Sequence, residues 1–394
     1  MLSVNEAIAT LLEGSNRLVK GEDVSLDQAS GRTLASDIIA PIDVPPADNS
    51  AMDGYAIRCA DWRNPDTGIP IGQRITAGTV PDGLRPASAA RIFTGAEVPH
   101  GADTVVMQEH CEESDRQVRI LKLPAQGANI RRRGQDLSTG QRVLSAGQRL
   151  RPQDLGLAAS LGIAAVPVFR RLRVAVMSTG DELREPGEKI QPGQIYNSNR
   201  YTMKAQLAAW GFEVLDLGVA RDDPAVVREM LSRAAEQADV IITSGGVSVG
   251  EEDHVKAVVE SLGSIDLWRI AIKPGKPFAF GQVRGTPFIG LPGNPVSVFV
   301  TLLVVGRPYL FACQGVSGTA MAPVCHTARF EKKGSMREDY LRVRATDSGV
   351  EMFPKMSSGI LYSTTWGDGL VRQRVGEDIA EGGQVDFLPY AMFN

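Results

Sequence analysis

Two glycine-rich loops, a lysine pair and a proline-framed turn hold the residue types best suited to chemistry in this sequence. Ser178-Thr179-Gly180-Asp181-Glu182-Leu183 follows an apolar run, and a glycine there lets the backbone approach a ligand closely. Residues 243–253 carry Thr243, Ser244, Gly245, Gly246, Ser248, Gly250 and Asp253. Their N–H groups and hydroxyls suit an anion, and a helix start follows. This is neither a Walker pattern nor a Rossmann G-x-G-x-x-G. Taken singly, either loop reads equally well as a tight connection between strand and helix. Lys273-Pro274-Gly275-Lys276-Pro277 sets two lysines in a turn stiffened by proline and glycine. Such lysines either solvate a surface or, beside glycine loops, make a rigid phosphate site. In Pro292-Gly293-Asn294-Pro295 a loop closes and a helix begins, with Asn294 as the expected cap and Pro295 in the first turn. The two prolines also suit a fixed pocket wall.

Acidic residues accompany these loops. Asp53 lies in a turn at residues 49–55, and Asp136 follows the triplet Arg131-Arg132-Arg133. The arginines read either as a solvated edge or as a grip on a polyanion. Glu182, Asp222 and Asp253 fall on loops between strands and helices. Magnesium takes oxygen ligands, often with substrate phosphates. Several carboxylates beside phosphate-suited loops and lysines would serve a magnesium–phosphate substrate. Other chemistry is thin. His100, His110, His254 and His326 are scattered, and neither G-x-S-x-G nor H-E-x-x-H occurs, so hydrolase triads and zinc peptidases have little support.

The elements that must position these residues change character along the chain. Residues 3–14 read as a helix with Ser3 and Glu6 in a capping box. A short helix ended by Gly31 is expected after Asp27. Residues 45–140 show β-type alternation in short pieces split by Gly, Pro and Asp, a small β-rich module. Residues 152–161 return to helix. Residues 171–312 alternate strands with helices, which predicts a three-layer α/β domain with a mostly parallel sheet. Ligands of such sheets sit beyond the carboxyl ends of the strands, where residues 179–182 and 244–253 fall. Residues 321–394 are β-like again and read as a small barrel or sandwich. The expected division is therefore 1–44 with 141–170 as a helical linker region, then 45–140, 171–312 and 321–394.

The 394 residues fit two to four domains at roughly 100–200 residues each. With 42 Lys+Arg against 46 Asp+Glu, the net charge of −4 argues against a dedicated nucleic-acid binder. Four cysteines, none in a C-x-x-C, fit a reduced compartment rather than a disulfide scaffold. The N-terminus reads as the first helix of a folded domain, not a signal peptide. The apolar run 296–305, broken by Ser297 and Thr301, reads as far short of a membrane span. A cytoplasmic protein without nucleic-acid or membrane partners is expected.

Six segments in series resemble the molybdopterin molybdenumtransferase family, the MoeA type related to the gephyrin E domain. They are residues 48–56, 131–136, 178–183, 244–253, 273–277 and 291–297, and together they span nearly the whole chain. The resemblance implies a helical linker region, an inserted β-rich domain, an α/β domain similar to the molybdopterin adenylyltransferase fold, and a C-terminal β-barrel. It implies a homodimer, with each active site at the α/β domain near the β-rich domain of the other subunit. The implied reaction inserts molybdenum from molybdate into adenylylated molybdopterin and releases AMP, with magnesium as the ion. Asp53, Asp136, Glu182, Asp222 and Asp253 become the functional acids, with Glu182 and Asp253 as metal ligands. Lys273 and Lys276 would grip anions. Thr179, Gly180, Ser244, Gly245, Gly246 and Ser248 would line the substrate, and Pro292 and Pro295 would shape the pocket. Arg269 stands where the family often has lysine; the charge is kept, but a planar fork grips oxyanions differently from an ammonium. Transient contacts with molybdopterin adenylyltransferase and with molybdoenzymes are implied. The competing readings are an adenylyltransferase acting one step earlier and a non-catalytic scaffold like gephyrin.

Overall fold

Along the strand Arg173–Thr179, Val174 and Val176 pack into one core while Ala175 and Met177 pack into another. The two-residue period of a strand demands this when both faces of a sheet are covered. In this computed structural model, which describes residues 1–246 and 254–394, the strand belongs to a six-stranded sheet. The order is Glu213–Ala220, Arg173–Thr179, Val240–Ser244, Thr286–Leu291, Pro277–Val283 and Gly263–Arg269. The first four run parallel, and Pro277–Val283 is antiparallel to both of its neighbours. The exception has a local cause. Arg284 and Gly285 both have positive φ (49° and 84°), the backbone of a two-residue hairpin turn, so the chain doubles back at once.

One face of the sheet is covered by Ser198–Ala209 and by the long helix 295–313, the other by Pro224–Gln237 and His254–Leu262. The helix Val4–Glu13 joins the first layer through Val4, Ala7 and Leu11, and its capping box forms as expected. Pro308 sits inside the long helix. Proline has no N–H and its ring crowds the carbonyl four residues back. The turn Leu302–Gly306 just before it widens to π-helix. This helix corrects one expectation. It is 19 residues long and apolar enough to cross a membrane, and most of it is buried in the core. It is the only such helix among the described residues.

The C-terminal strands form a barrel. Gly349–Met352, Glu338–Thr346, Gly369–Gln373, Gln384–Pro389 and Val324–Thr327 pair in that order, and the bridge Ala328↔Val350 completes the ring. Leu341, Val343, Val371 and Phe387 fill it. The short strand Ile272–Lys273, from the α/β domain, pairs in parallel with Glu338–Thr346. The expected multi-domain α/β plus β architecture is present.

The chain divides into two compact units: Met1–Ala35, Gly147–Leu150 and Pro167–Asn394 in one, Ser36–Ala146 and Arg151–Val166 in the other. The expected helical linker region is thus shared between them. The first helix packs on the α/β core, while Ala40, Leu137 and Leu161 form a small cluster of their own in the second unit. That second unit is built on a six-stranded mixed sheet running from Thr104–Met107 to Cys111–Ser114. The helix expected after Asp27 is a single turn, Leu26–Gln28, because Thr33 and Leu34 are already held by β-bridges to Arg149 and Val168.

Candidate active site

Three parallel strands, Arg173–Thr179, Val240–Ser244 and Thr286–Leu291, end at the same edge of the sheet. The loops they feed surround a cleft of about 660 Å³. Glu182 comes from the first loop and Gly245 and Gly246 from the second. Lys273 and Lys276 come from the lysine turn, and Pro292 and Pro295 from the helix start. Sequence-expected residues of one unit are therefore brought together where an open α/β sheet places its ligand.

Backbone geometry explains the glycines. Gly245 and Gly246 have φ of 86° and 67°, and a Cβ on Gly246 would lie 2.4 Å from Val255 Cγ2. Gly275 has φ 112°, and a Cβ there would meet Thr301 Cγ2 at 2.5 Å. Only glycine lets the lysine turn lie this close to the long helix. Pro295 starts that helix as expected. Asn294 stands at the N-cap position but makes no capping bond with its side chain.

Other expected residues do not line this cleft. Ser244 is buried, and its hydroxyl meets Ser178 Oγ at 3.0 Å, so that side chain ties two strands together beneath the cleft. Thr179 is also buried, under the two glycines. Gly180 borders a neighbouring cleft of about 670 Å³ together with Asp181, Arg184 and Arg221. Asp222 is exposed and bonded to the Asp181 backbone. Arg269 is exposed at the end of the edge strand, and its carbonyl accepts from the Leu2 N–H. Ser248 and Asp253 lie outside the described residues.

Asp53 and Asp136 belong to the second unit. Asp53 accepts from the Thr94 N–H (2.8 Å) and Oγ1 (2.9 Å), and these bonds hold its carboxyl below the usual range. Asp136 is exposed, with its N–H bonded to the Val44 carbonyl. Of the arginine triplet, Arg132 pairs with Asp48 and Arg133 with Asp43. Two of the three thus serve the fold of their own unit.

The barrel contributes residues that sequence reasoning missed: Arg337, Asp339, Arg342, Ser357 and Ser358. Asp339 and Arg342 are each 2% exposed, on a strand that also carries Glu338 and Arg344. With four charged residues, the strand reads in sequence as a solvent-facing edge, so no signal marked these two as buried. Burial pushes the Arg342 guanidinium below its ordinary pKa, while Asp339 pulls it up. Its fork bonds to Ser363 Oγ and to the Tyr340 carbonyl. The loop that holds Ser358 also accepts the Val296 N–H, which seats the barrel on the helix start.

The cleft thus gathers four cationic side chains (Lys273, Lys276, Arg337 and Arg342) against two carboxylates (Glu182 and Asp339). In a chain of net charge −4 this is a local concentration of positive charge, suited to an anion. Among the described residues, no three of His, Cys, Asp and Glu come together to hold a metal. Magnesium needs no such cage, because it binds through one or two carboxylates plus substrate phosphates. Glu182 is a carboxylate of that kind beside the lysines.

Fold and cleft define a multi-domain α/β protein whose cleft, lined by a glycine loop, lysines and barrel residues, is suited to an anion. Comparison with known proteins makes this specific. Residues 2–162 match the MoeA N-terminal region (domain I and II), 175–312 a probable molybdopterin binding domain, and 326–390 the MoeA C-terminal region (domain IV). A molybdopterin molybdenumtransferase of Haemophilus influenzae is 46% identical over 80% of this chain and 78% of its own. One from Synechococcus elongatus is 35% identical over 92% and 93%. The crystal structure of a molybdopterin biosynthesis MoeA protein from Pyrococcus horikoshii matches with a TM-score of 0.83, at 31% identity, covering 100% of this chain and 99% of that one. The chain belongs to the molybdopterin molybdenumtransferase (MoeA) family and is a transferase of molybdenum cofactor biosynthesis.

Proposed function

We propose that the cleft binds adenylylated molybdopterin and molybdate, and that the protein inserts molybdenum into the dithiolene while AMP leaves. The observation that carries this reading is the set of four cations beside Gly245 and Gly246 at the carboxyl end of the sheet. Both substrates are anions. Lys273 and Lys276 hold oxyanion groups, and the glycine loop lets the ligand approach the backbone. Pro292 and Pro295 fix the wall. The carboxylates Glu182 and Asp222 orient molybdate or the attacking oxygen, and Asp53 and Asp136 are further functional acids of the reaction. Glu182, together with Asp253 outside the described residues, would hold magnesium. Such an ion, when bound, neutralises charge on the phosphoanhydride. The working form is a homodimer in the cytoplasm, with transient contacts to the adenylyltransferase before it and to molybdoenzymes after it.

The test is AMP release from adenylylated molybdopterin with magnesium, with and without molybdate, alongside activation of an apo-molybdoenzyme. Molybdate-dependent release with active cofactor formed is the expected result. Formation of adenylylated pterin from ATP and molybdopterin, with no molybdate-dependent AMP release, overturns it.

A further inference from the structure

Asp339 lies on a barrel strand and Lys273 on the lysine turn of the α/β domain, yet the two residues stand opposite each other in a parallel pairing. Asp339 is 2% exposed and borders the cleft. Its Oδ2 lies 3.1 Å from Lys273 Nζ, and that oxygen accepts no well-aligned hydrogen bond from any described residue. The Lys273 side chain is 36% exposed. A carboxylate this buried is costly to keep charged unless a cation stands beside it. The ammonium has three donors, and the carboxylate engages one side of it. The rest of the ammonium remains for a ligand in the cleft.

A lysine without such an anchor spreads over many rotamers, and the cost of ordering it falls on binding. We propose that Asp339 is a positioning residue: its buried carboxylate fixes the Lys273 ammonium at the cleft, so that the barrel sets the affinity for the oxyanion. This rests on the reading of the cleft as an oxyanion site. Asp339 is itself negative and repels an anion, so its favourable effect passes through Lys273. Arg337 and Arg342 remain barrel cations of the cleft when Asp339 is changed, with Arg342 losing the neighbouring charge that pulls its guanidinium up.

The test uses the full chain, with molybdate and separately inorganic phosphate titrated by calorimetry. Asp339→Asn is expected to bind molybdate roughly tenfold more weakly, a part of the rotamer freedom a lysine carries. In the AMP-release assay the molybdate KM rises by about the same factor, with kcat changed less than about twofold, the signature of lost ground-state binding. Asp339→Glu, which keeps the charge, stays within about threefold of the parent, the residual being its extra methylene. Lys273→Met binds weakly, and adding Asp339→Asn to it causes no further loss, because the two act as one unit. The same double variant melts higher than Lys273→Met alone, since it removes the orphaned buried charge. If Asp339→Asn does not fold, Asp339→Ser takes its place in every comparison.

Unchanged or tighter molybdate binding by Asp339→Asn overturns this inference alone. So does an equal loss in the parent and in the Lys273→Met background. A parent protein that binds neither molybdate nor phosphate overturns the reading of the cleft, and the inference with it.

Discussion

Asp181 and Asp222 each accept the other's backbone N–H. Asp181 N–H donates to Asp222 Oδ2 at 3.3 Å, and Asp222 N–H donates to Asp181 Oδ1 at 3.2 Å. The two loops they occupy follow neighbouring strands of the sheet. The reciprocal bonds therefore fix the loop that carries Glu182 relative to the next one.

This separates two roles that Asp222 combines. Asp222→Asn keeps an oxygen acceptor for the Asp181 N–H and removes the charge. Asp222→Ala removes both. If the charge serves the reaction, both variants lose AMP release by more than about tenfold, while only the alanine variant also loses stability, by about 1 kcal/mol for the lost bond. Thermal melting beside the AMP assay reads the two effects apart. An asparagine variant with full turnover would remove Asp222 from the chemistry.

The buried Ser178–Ser244 pair predicts an asymmetry in stability. Ser244→Ala removes the 3.0 Å partner of the Ser178 hydroxyl, whose other contact, to Asn197 Oδ1, is long at 3.4 Å. An orphaned buried hydroxyl costs about 1–3 kcal/mol. Ser244→Ala should therefore melt lower, and Ser178→Ala combined with it should recover part of the loss. Urea unfolding of the three variants tests this. Molybdate affinity should follow neither change, because the hydroxyl points into the strand junction and not into the cleft.

Gly275 predicts how sensitive the lysine turn is. Gly275→Ala forces a Cβ against Thr301 Cγ2 and strains a backbone at φ 112°. Thr301 is fully buried, so it has little room to yield. Strain of this kind costs on the order of 1–3 kcal/mol. The turn should shift, and anion binding should weaken for phosphate and molybdate alike. Adding Thr301→Ser deletes the offending methyl and should restore only part of the binding, since the φ strain persists. Full restoration would mean that backbone conformation is unimportant here.

Acid stability should follow Asp216 and Asp43. Burial raises the Asp216 pKa, but bonds from Arg200, Lys204 and the Gly218 N–H outweigh it and bring the value from 3.8 to about 2. Asp43 is brought to about 2 as well, first by the Thr139 N–H and then by Arg133. A carboxylate whose pKa is lower in the folded state adds stability that is complete above its unfolded value and lost as pH falls through the folded one. The melting temperature should therefore hold steady from neutral pH down to about 5 and fall between about 4 and 2. Asp216→Asn should start lower and fall less steeply over that window. An identical slope would remove Asp216 as a source of the acid transition.

Much of the candidate cleft's lining was legible in the sequence because it is local. The glycine loops, the lysine turn and the proline-framed helix start are each contiguous. Their conformations follow from glycine's freedom at positive φ and from proline's fixed φ. The elements around them show in the apolar run before Ser178 and in the Ser3–Glu6 capping box. The order of six such segments was enough to point to the family. Tertiary structure alone decided the rest. Asp339 and Arg342 are barrel residues far along the chain, and a parallel strand pairing carries them to the cleft. Ser244 looked like a ligand-facing hydroxyl, and strand packing turned it toward Ser178. The first helix joined the α/β core while residues 36–44 joined the other unit. Each of these outcomes depends on register and packing between distant segments. A local pattern records which residues a strand buries, but the partner it pairs with is chosen by the whole chain.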